Sequence, residues 1–263
     1  MSSIPAPVLS RLSEYRSMVN FIPERLSLRD VTLAAVDTAA HQLTRMALEE
    51  CMKEADFGDH VILSDKEILS GVRHVTIPSE TGRKDAVRMV WDELPKHVKT
   101  KFFLRIEWDS WIINRAMWCN EYLRYDYIGA GWPHLPGPHV VGNGGFSLRS
   151  VDLMLALAKF ELPFKEPEDV LLCRQYRPYL EKRGFSWAPL LIARCFASEL
   201  TWETFRSFGF HGMFNWVFVL TREEIEHRLS FAPQYVRKTP QYEQLMKNLA
   251  TGEVSPGFSW TQG

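Results

Sequence analysis

The chain has 263 residues, a formal net charge of −1, and 46% hydrophobic and 13% aromatic residues. This length allows one large α/β domain or two small ones, with ample apolar content for a core. Near-neutral charge argues against non-specific nucleic-acid binding as the main task, and four widely spaced cysteines without a CxxC pair argue against a zinc knuckle and fit a reducing compartment.

Residues 1–29 read as an irregular or helical lead-in without a secretory signal, and no stretch is apolar enough to span a bilayer. A cytoplasmic protein with no membrane span is expected. Val31 to Val36 is the first buried strand, ending at Asp37-Thr38, which can cap a helix over roughly His41 to Glu54. His60 to Leu63 and Val72 to Ile77 are further strands. Residues 80–97 show helical spacing, and Lys101 to Ile106 is a fourth strand running into Glu107-Trp108-Asp109. Strands alternating with helices predict an α/β fold with a mostly parallel central sheet flanked by helices. Ligands bind such sheets beyond the carboxyl ends of the strands. Asp37, Thr38, Ser64, Asp65, Glu107 and Asp109 all fall there.

Tyr125 to Ile128 is a short strand leading into a Gly- and Pro-rich loop. Gly142-Asn143-Gly144-Gly145 either lets backbone approach a ligand closely or makes a tight hairpin turn. Val151 to Phe160 is a well-buried helix, and Pro167-Glu168-Asp169 opens another that runs to about Glu181. The segment from Arg222 to Ala250 is helical, with a loose end after it. The expected organisation is a lead-in over 1–29, one domain over 30–220, and a helical extension over 221–263 packed on it.

If strand alternation continues, the carboxylates of Glu107 and Asp109 lie on one side. Such a pair can hold a hard divalent cation together with phosphate oxygens. Surface acidic pairs are common, so this signal is weak alone. His211, flanked by Gly209 and Gly212, can approach a phosphate or metal closely. No HExxH, GxSxG, GxxxxGK[ST] or GxGxxG pattern is present, which leaves zinc hydrolases, nucleophile elbows, P-loops and Rossmann phosphate loops unsupported. Trp111, Trp132 and Trp187 are stacking candidates for a sugar or base, with core packing as the alternative.

The blocks EWDS (107–110), YDYIGAGW (125–132), VGNGGFSLRS (141–150), PEDV (167–170) and FGFHG (208–212), in this order, resemble the DUF5672 family. That group is similar to GT-A-fold glycosyltransferases, and the resemblance spans about residues 30–216. It implies a metal-dependent glycosyltransferase, a hexosyl- or pentosyltransferase, using a nucleotide-sugar donor (UDP-sugar first) with Mn²⁺ or Mg²⁺. It implies a DXD-like metal role for Asp109 with Glu107, and a second metal ligand in His211. ExD departs from DxD, which leaves the role of Glu107 open. Glu168-Asp169 supplies the base, Asp169 as the base itself and Glu168 orienting it or binding the acceptor, with inversion expected. GNGGFSLR forms the wall between donor and acceptor: Gly144 and Gly145 on the donor side, Asn143 and Arg149 with Trp132 and Trp187 on the acceptor side. Asp37, Thr38, Ser64 and Asp65 are expected at the nucleobase and ribose.

The acceptor is open: a glycan, a lipid-linked sugar, a protein, a small molecule or a modified DNA base. If Lys165, Arg174, Arg177, Lys182, Arg183 and Arg194 share a groove with Arg222, Arg228, Arg237 and Lys238, a polyanionic acceptor is expected. Two other function classes remain: a non-catalytic module binding a sugar nucleotide or glycan, and a metal-dependent nucleotidyl or phosphoryl transferase.

Overall fold

The computed structural model describes residues 25–79, 83–164, 167–200 and 206–251. Most of the expected lead-in, Lys165 and the expected loose end lie outside these residues. The central strand β1 (Leu26–Val36) begins five residues before the apolar run that marks it in the sequence. Leu26 and Leu28 already pair with Ala55 and Phe57 of β2 (Ala55–Ser64), a bulge follows, and pairing resumes at Thr32. The polar residues Ser27, Arg29 and Asp30 are exposed in this part of the strand, which hides it from an apolar pattern. At the bulge the backbones crowd: a Cβ on Gly58 would lie 2.0 Å from Arg29 O.

With β3 (Arg73–Thr76), β4 (Phe102–Ile106), β6 (Tyr127–Ile128) and β7 (Phe146–Ser150), the sheet order is β3-β2-β1-β4-β7-β6. The first four strands are parallel, and β7 runs antiparallel to both β4 and β6. The fold class is therefore α/β with a mixed, mostly parallel central sheet, as the alternation predicts. Both faces are covered. Leu33 and Ala35 pack on one side with Leu43 and Leu48 of α1 (His41–Glu54). Ala34 packs on the other with Val61, Leu63 and Phe103. Strands buried on two faces read as apolar runs, not alternation. A small second sheet joins β5 (Trp111–Ile112), β9 (Gly209–Phe210) and β8 (Ala197–Ser198) in that order.

Proline explains where the helices depart from expectation. The run over 80–97 is two helices, α2 (Arg83–Asp92) and α3 (Leu94–His97), because Pro95 cannot donate into the preceding turn and opens a new one. After α4 (Val151–Lys159), the helix at Glu168 runs as α5 (Glu168–Val170), a π-helical stretch (Leu171–Tyr176) and α6 (Arg177–Glu181), with Pro178 in the first turn of α6. Helix α4 is less buried than its composition suggests, with Leu155 exposed. Beyond α7 (Leu190–Phe196) and α8 (Trp216–Val219), the expected continuous C-terminal helix is two, α9 (Arg222–Ser230) and α10 (Pro240–Thr251). Pro233 and Pro240 lie at the break. Thr221 and Glu224 form a capping box that starts α9. Ile225, Leu229 and Leu245 join the core cluster that holds Leu33.

Candidate active site

The carboxylates of Glu107 and Asp109 do lie together, but a turn places them and not strand alternation. Strand β4 stops at Ile106, and the Glu107 N–H bonds to Gly145 O at 3.0 Å and to Ser110 Oγ at 2.9 Å. The buried Ser110 hydroxyl in turn donates to Gly145 O at 2.7 Å. Strand β9 delivers His211 to the same place, its N–H bonded to Ser198 O at 2.9 Å. His211 Nε2 stands 3.4 Å from Asp109 Oδ1 and 3.7 Å from Glu107 Oε2. One ligand atom from each of the three residues lies within 4.8 Å of the others.

This donor set passes a chemical test for a divalent cation. Asp109 is buried; its Oδ2 accepts the Met213 N–H at 3.1 Å, while Oδ1 accepts no hydrogen bond. A buried carboxylate oxygen without a donor calls for an explanation, and a cation supplies one. Arg105, buried beside Glu107, holds Oε1 at 2.6 Å and so leaves Oε2 facing His211. Two carboxylate oxygens and one imidazole nitrogen could hold Mn²⁺ or Mg²⁺. Burial opposes charge on His211, but the negative charge of Asp109, then the carboxylates of Glu107 and Glu199 beside the ring, outweigh it and raise the imidazole well above its ordinary range.

The GNGG segment lies against this cluster. Asn143 takes a positive φ of 64°, which asparagine tolerates. Its Oδ1 accepts the Phe146 N–H at 3.3 Å and its Nδ2 lies 3.0 Å from His211 Nδ1. The two glycines that follow are crowded by the protein's own side chains. A Cβ on Gly145 would lie 2.2 Å from His211 Nε2, and one on Gly144 would lie 2.5 Å from Arg105 Nη1. The Gly144 N–H donates to Asp169 Oδ2 at 3.1 Å, and Asp169 Oδ1 accepts from Val170 N at 2.8 Å. Burial, then the neighbouring charges of Glu168 and Glu199, push the half-buried Asp169 carboxyl up to about 6 despite these two bonds. Glu168 is paired end-on with Arg149, both fully sheltered, and Arg149 Nε donates to Ser147 Oγ at 3.0 Å.

Several expected contacts are corrected by burial. Arg149 is 0% exposed, lies 5.1 Å from the Tyr127 ring and is committed to Glu168, so its guanidinium does not reach an acceptor. Trp132, Trp187 and Trp111 are core side chains, and the packing alternative holds for each. Trp187 stacks near-parallel to Tyr127 at 6.3 Å, and Trp111 meets Phe210 edge-on at 4.6 Å. The basic residues are tied up as well. Arg174 bonds His139 O and Pro136 O; Arg222 and Arg237 bond Leu249 O and Leu229 O; buried Arg228 pairs with Glu50. Arg183 lies 3.4 Å from the Tyr179 ring centre.

Asp37 and Thr38 line a cleft of about 620 Å³ that reaches Asp109, His211 and Glu199. Asp37 Oδ1 accepts the N–H groups of Ala39 and Ala40, both at 2.9 Å, and Oδ2 accepts from Thr44 Oγ1 at 3.0 Å. Ser64 is fully buried, and Asp65 is paired with His41 at 2.6 Å. Burial works against the Asp65 charge, yet the His41 contact brings its carboxyl below the usual range. Sequence reasoning missed Glu199, Arg105 and Ser110, and the cleft wall made by Tyr235, Thr239 and Gln241. The one available signal was Arg105, a charge at the buried end of the apolar run Lys101 to Ile106.

A family model described as "Protein of unknown function (DUF5672)" matches residues 86–211. The resemblance read from the sequence blocks is borne out over that region, a narrower span than 30–216. No curated protein matches the chain. Among solved structures, the chain is similar to glucosyl-3-phosphoglycerate synthase from Mycobacterium tuberculosis in complex with Mn²⁺, UDP and glucosyl-3-phosphoglycerate. Identity is 12% and the TM-score 0.43, over 71% of this chain and 75% of that one. It is also similar to the glycosyltransferase GlyE of Streptococcus pneumoniae TIGR4. The apo form gives 11% identity and a TM-score of 0.41, over 86% of this chain and 64% of that one. A second GlyE structure gives 11% identity and a TM-score of 0.43, over 91% of this chain and 67% of that one. Among the described residues, no helix is long and apolar enough to cross a membrane.

Proposed function

We propose that this chain, matched by DUF5672 over residues 86–211, is a metal-dependent glycosyltransferase that moves a sugar from a nucleotide diphosphate to an acceptor hydroxyl. The observation that carries the reading is the Glu107–Asp109–His211 cluster, with its unbonded Asp109 oxygen, in the lining of the cleft. Asp109, Glu107 and His211 would hold Mn²⁺ or Mg²⁺, which would supply positive charge for the departing nucleoside diphosphate.

Asp169 is the base. The Gly144 and Val170 N–H groups fix its two oxygens. Raised to about 6, it is ionised at neutral pH yet basic enough to take the acceptor proton. Glu168 faces away, toward Arg149, and acts through its charge beside Asp169. With Asp169 as the base and no nucleophile assigned among the described residues, direct displacement with inversion is the expected course. Asp37, which also lines the cleft, uses three of a carboxylate's roughly four acceptor sites. The remaining site on Oδ2 suits a ribose hydroxyl, with Thr38 beside it.

The test is a panel of nucleotide sugars incubated with Mn²⁺ and the purified protein, reading release of nucleoside diphosphate. One donor should turn over slowly, UDP-sugars being the first to try, and Asp109→Ala and Asp169→Asn should both lose the release. Pyrophosphate release from a nucleoside triphosphate would instead identify a nucleotidyl transferase. Donor binding that never turns over with any acceptor, and that Asp169→Asn leaves intact, would identify a binding module.

A further inference from the structure

Glu199 has no place in the reading above, yet the fold holds it against His211 from the side opposite the two carboxylates. Strands β8 and β9 are parallel, with Ser198 opposite Phe210. The next residue on each strand is therefore Glu199 and His211. Asn215, buried, donates its side-chain N–H to both of their carbonyls, at 2.9 Å to Glu199 O and 2.7 Å to His211 O. With both backbones clamped, Glu199 Oε1 lies 3.0 Å from His211 Nδ1, while Nε2 faces Asp109 and Glu107.

We propose that Glu199 is the positioning residue of the metal site: its carboxylate takes the Nδ1–H of His211 and thereby presents Nε2 as a lone pair toward Asp109 and Glu107. An ionised carboxylate only accepts hydrogen bonds, so the ring nitrogen facing it carries the proton, and the Asn143 Nδ2 that also stands 3.0 Å from Nδ1, being a donor, makes no hydrogen bond to it in this tautomer. With a cation in place of the Nε2 proton, the lone pair would lie on that nitrogen. An outer carboxylate of this kind fixes ring orientation and strengthens the ligand, and losing one costs 10–100-fold in metal affinity. Glu199 is not itself a ligand in this arrangement, because the imidazole ring separates its oxygen from the Asp109–Glu107 side. The inference rests on the metal role proposed for His211.

The test is Mn²⁺ binding to the full chain without nucleotide, followed by EPR, for wild type, Asp109→Ala, His211→Ala, Glu199→Gln and Glu199→Asp. Thermal midpoints are read alongside. Wild type should bind Mn²⁺ and show the pulsed-EPR modulation of a coordinated imidazole nitrogen, which His211→Ala lacks. Glu199→Gln should bind about 10–100-fold more weakly, with reduced nitrogen modulation at saturating Mn²⁺ and an unchanged thermal midpoint. Glu199→Asp keeps the charge and should fall between the two, which provides the reading if the glutamine variant does not fold. Equal affinity and equal modulation in wild type and both Glu199 variants would overturn the positioning role and leave the metal site standing. Loss as complete as in Asp109→Ala would make Glu199 a direct ligand and also overturn it. Wild-type protein that binds no Mn²⁺ would overturn the metal reading itself, and this role with it.

Discussion

Asp169, the base in the proposed reaction, carries a cost to stability. Its carboxyl is raised by burial and by Glu168 and Glu199 from 3.8 to about 6. For a carboxyl raised on folding, the stabilising contribution is complete below the unfolded value and is lost as pH rises through the folded one. Ionised Asp169 therefore weighs against the folded state at pH 7.5 by about 3 kcal/mol. Asp169→Asn should raise the thermal midpoint at pH 7.5 and have little effect at pH 4, while lowering turnover by about 10²–10⁴-fold. In wild type, kcat/KM should fall about tenfold for each pH unit below about 6, as the base is protonated. An acid limb unmoved by the substitution would assign it to another group. Asp169 and Asp109 could be picked out in the sequence because their neighbours, Pro167-Glu168 and Glu107-Trp108, form recognisable blocks. Glu199 could not, because its importance comes only from a strand pairing that sets it beside His211.

At the scale of elements, the pair Arg149–Glu168 joins β7 to α5 beneath the GNGG segment. Both side chains are buried, and Arg149 also bonds Ser147. Breaking a buried pair strands the remaining charge, so Arg149→Met should cost about 3–5 kcal/mol in urea unfolding. The double variant Arg149→Met with Glu168→Met should recover most of that loss. A double variant no more stable than the single one would show that the charges matter less than packing around Tyr127. From sequence, Arg149 is expected on the acceptor side because the family resemblance puts GNGGFSLR in the wall between donor and acceptor. Its partner sits 19 residues away on a helix start, a distance that no local pattern bridges. Strand positions were legible as apolar runs because the sheet is covered on both faces. The start of β1 was not, because Ser27, Arg29 and Asp30 break the run before the bulge. Helix breaks at Pro95 and between α9 and α10 follow from prolines that a periodicity count ignores.

Across the whole molecule, the C-terminal helices are part of the core and of the cleft. Ile225, Leu229, Val236 and Leu245 are buried in the main cluster, and Tyr235, Thr239 and Gln241 line the cleft with Asp37. Burying four such side chains contributes on the order of 6–12 kcal/mol, which is comparable to the whole stability of a domain. Deleting residues 222–263 should abolish the cooperative thermal transition seen by circular dichroism. A truncated chain that still melted cooperatively would make the segment a separable extension. The fold class was legible from alternation alone, whereas the cleft was not, because it is assembled from β1, β4, β9 and the α9–α10 connection. The central claim is that Glu107, Asp109 and His211 hold a divalent cation in the lining of this cleft. Anomalous diffraction from crystals soaked with Mn²⁺ and a nucleoside diphosphate tests it directly. The account predicts one strong peak bonded to Asp109 Oδ1 and His211 Nε2, absent in Asp109→Ala. A nucleotide bound in the cleft with no peak at those atoms, or with a peak elsewhere, would contradict it.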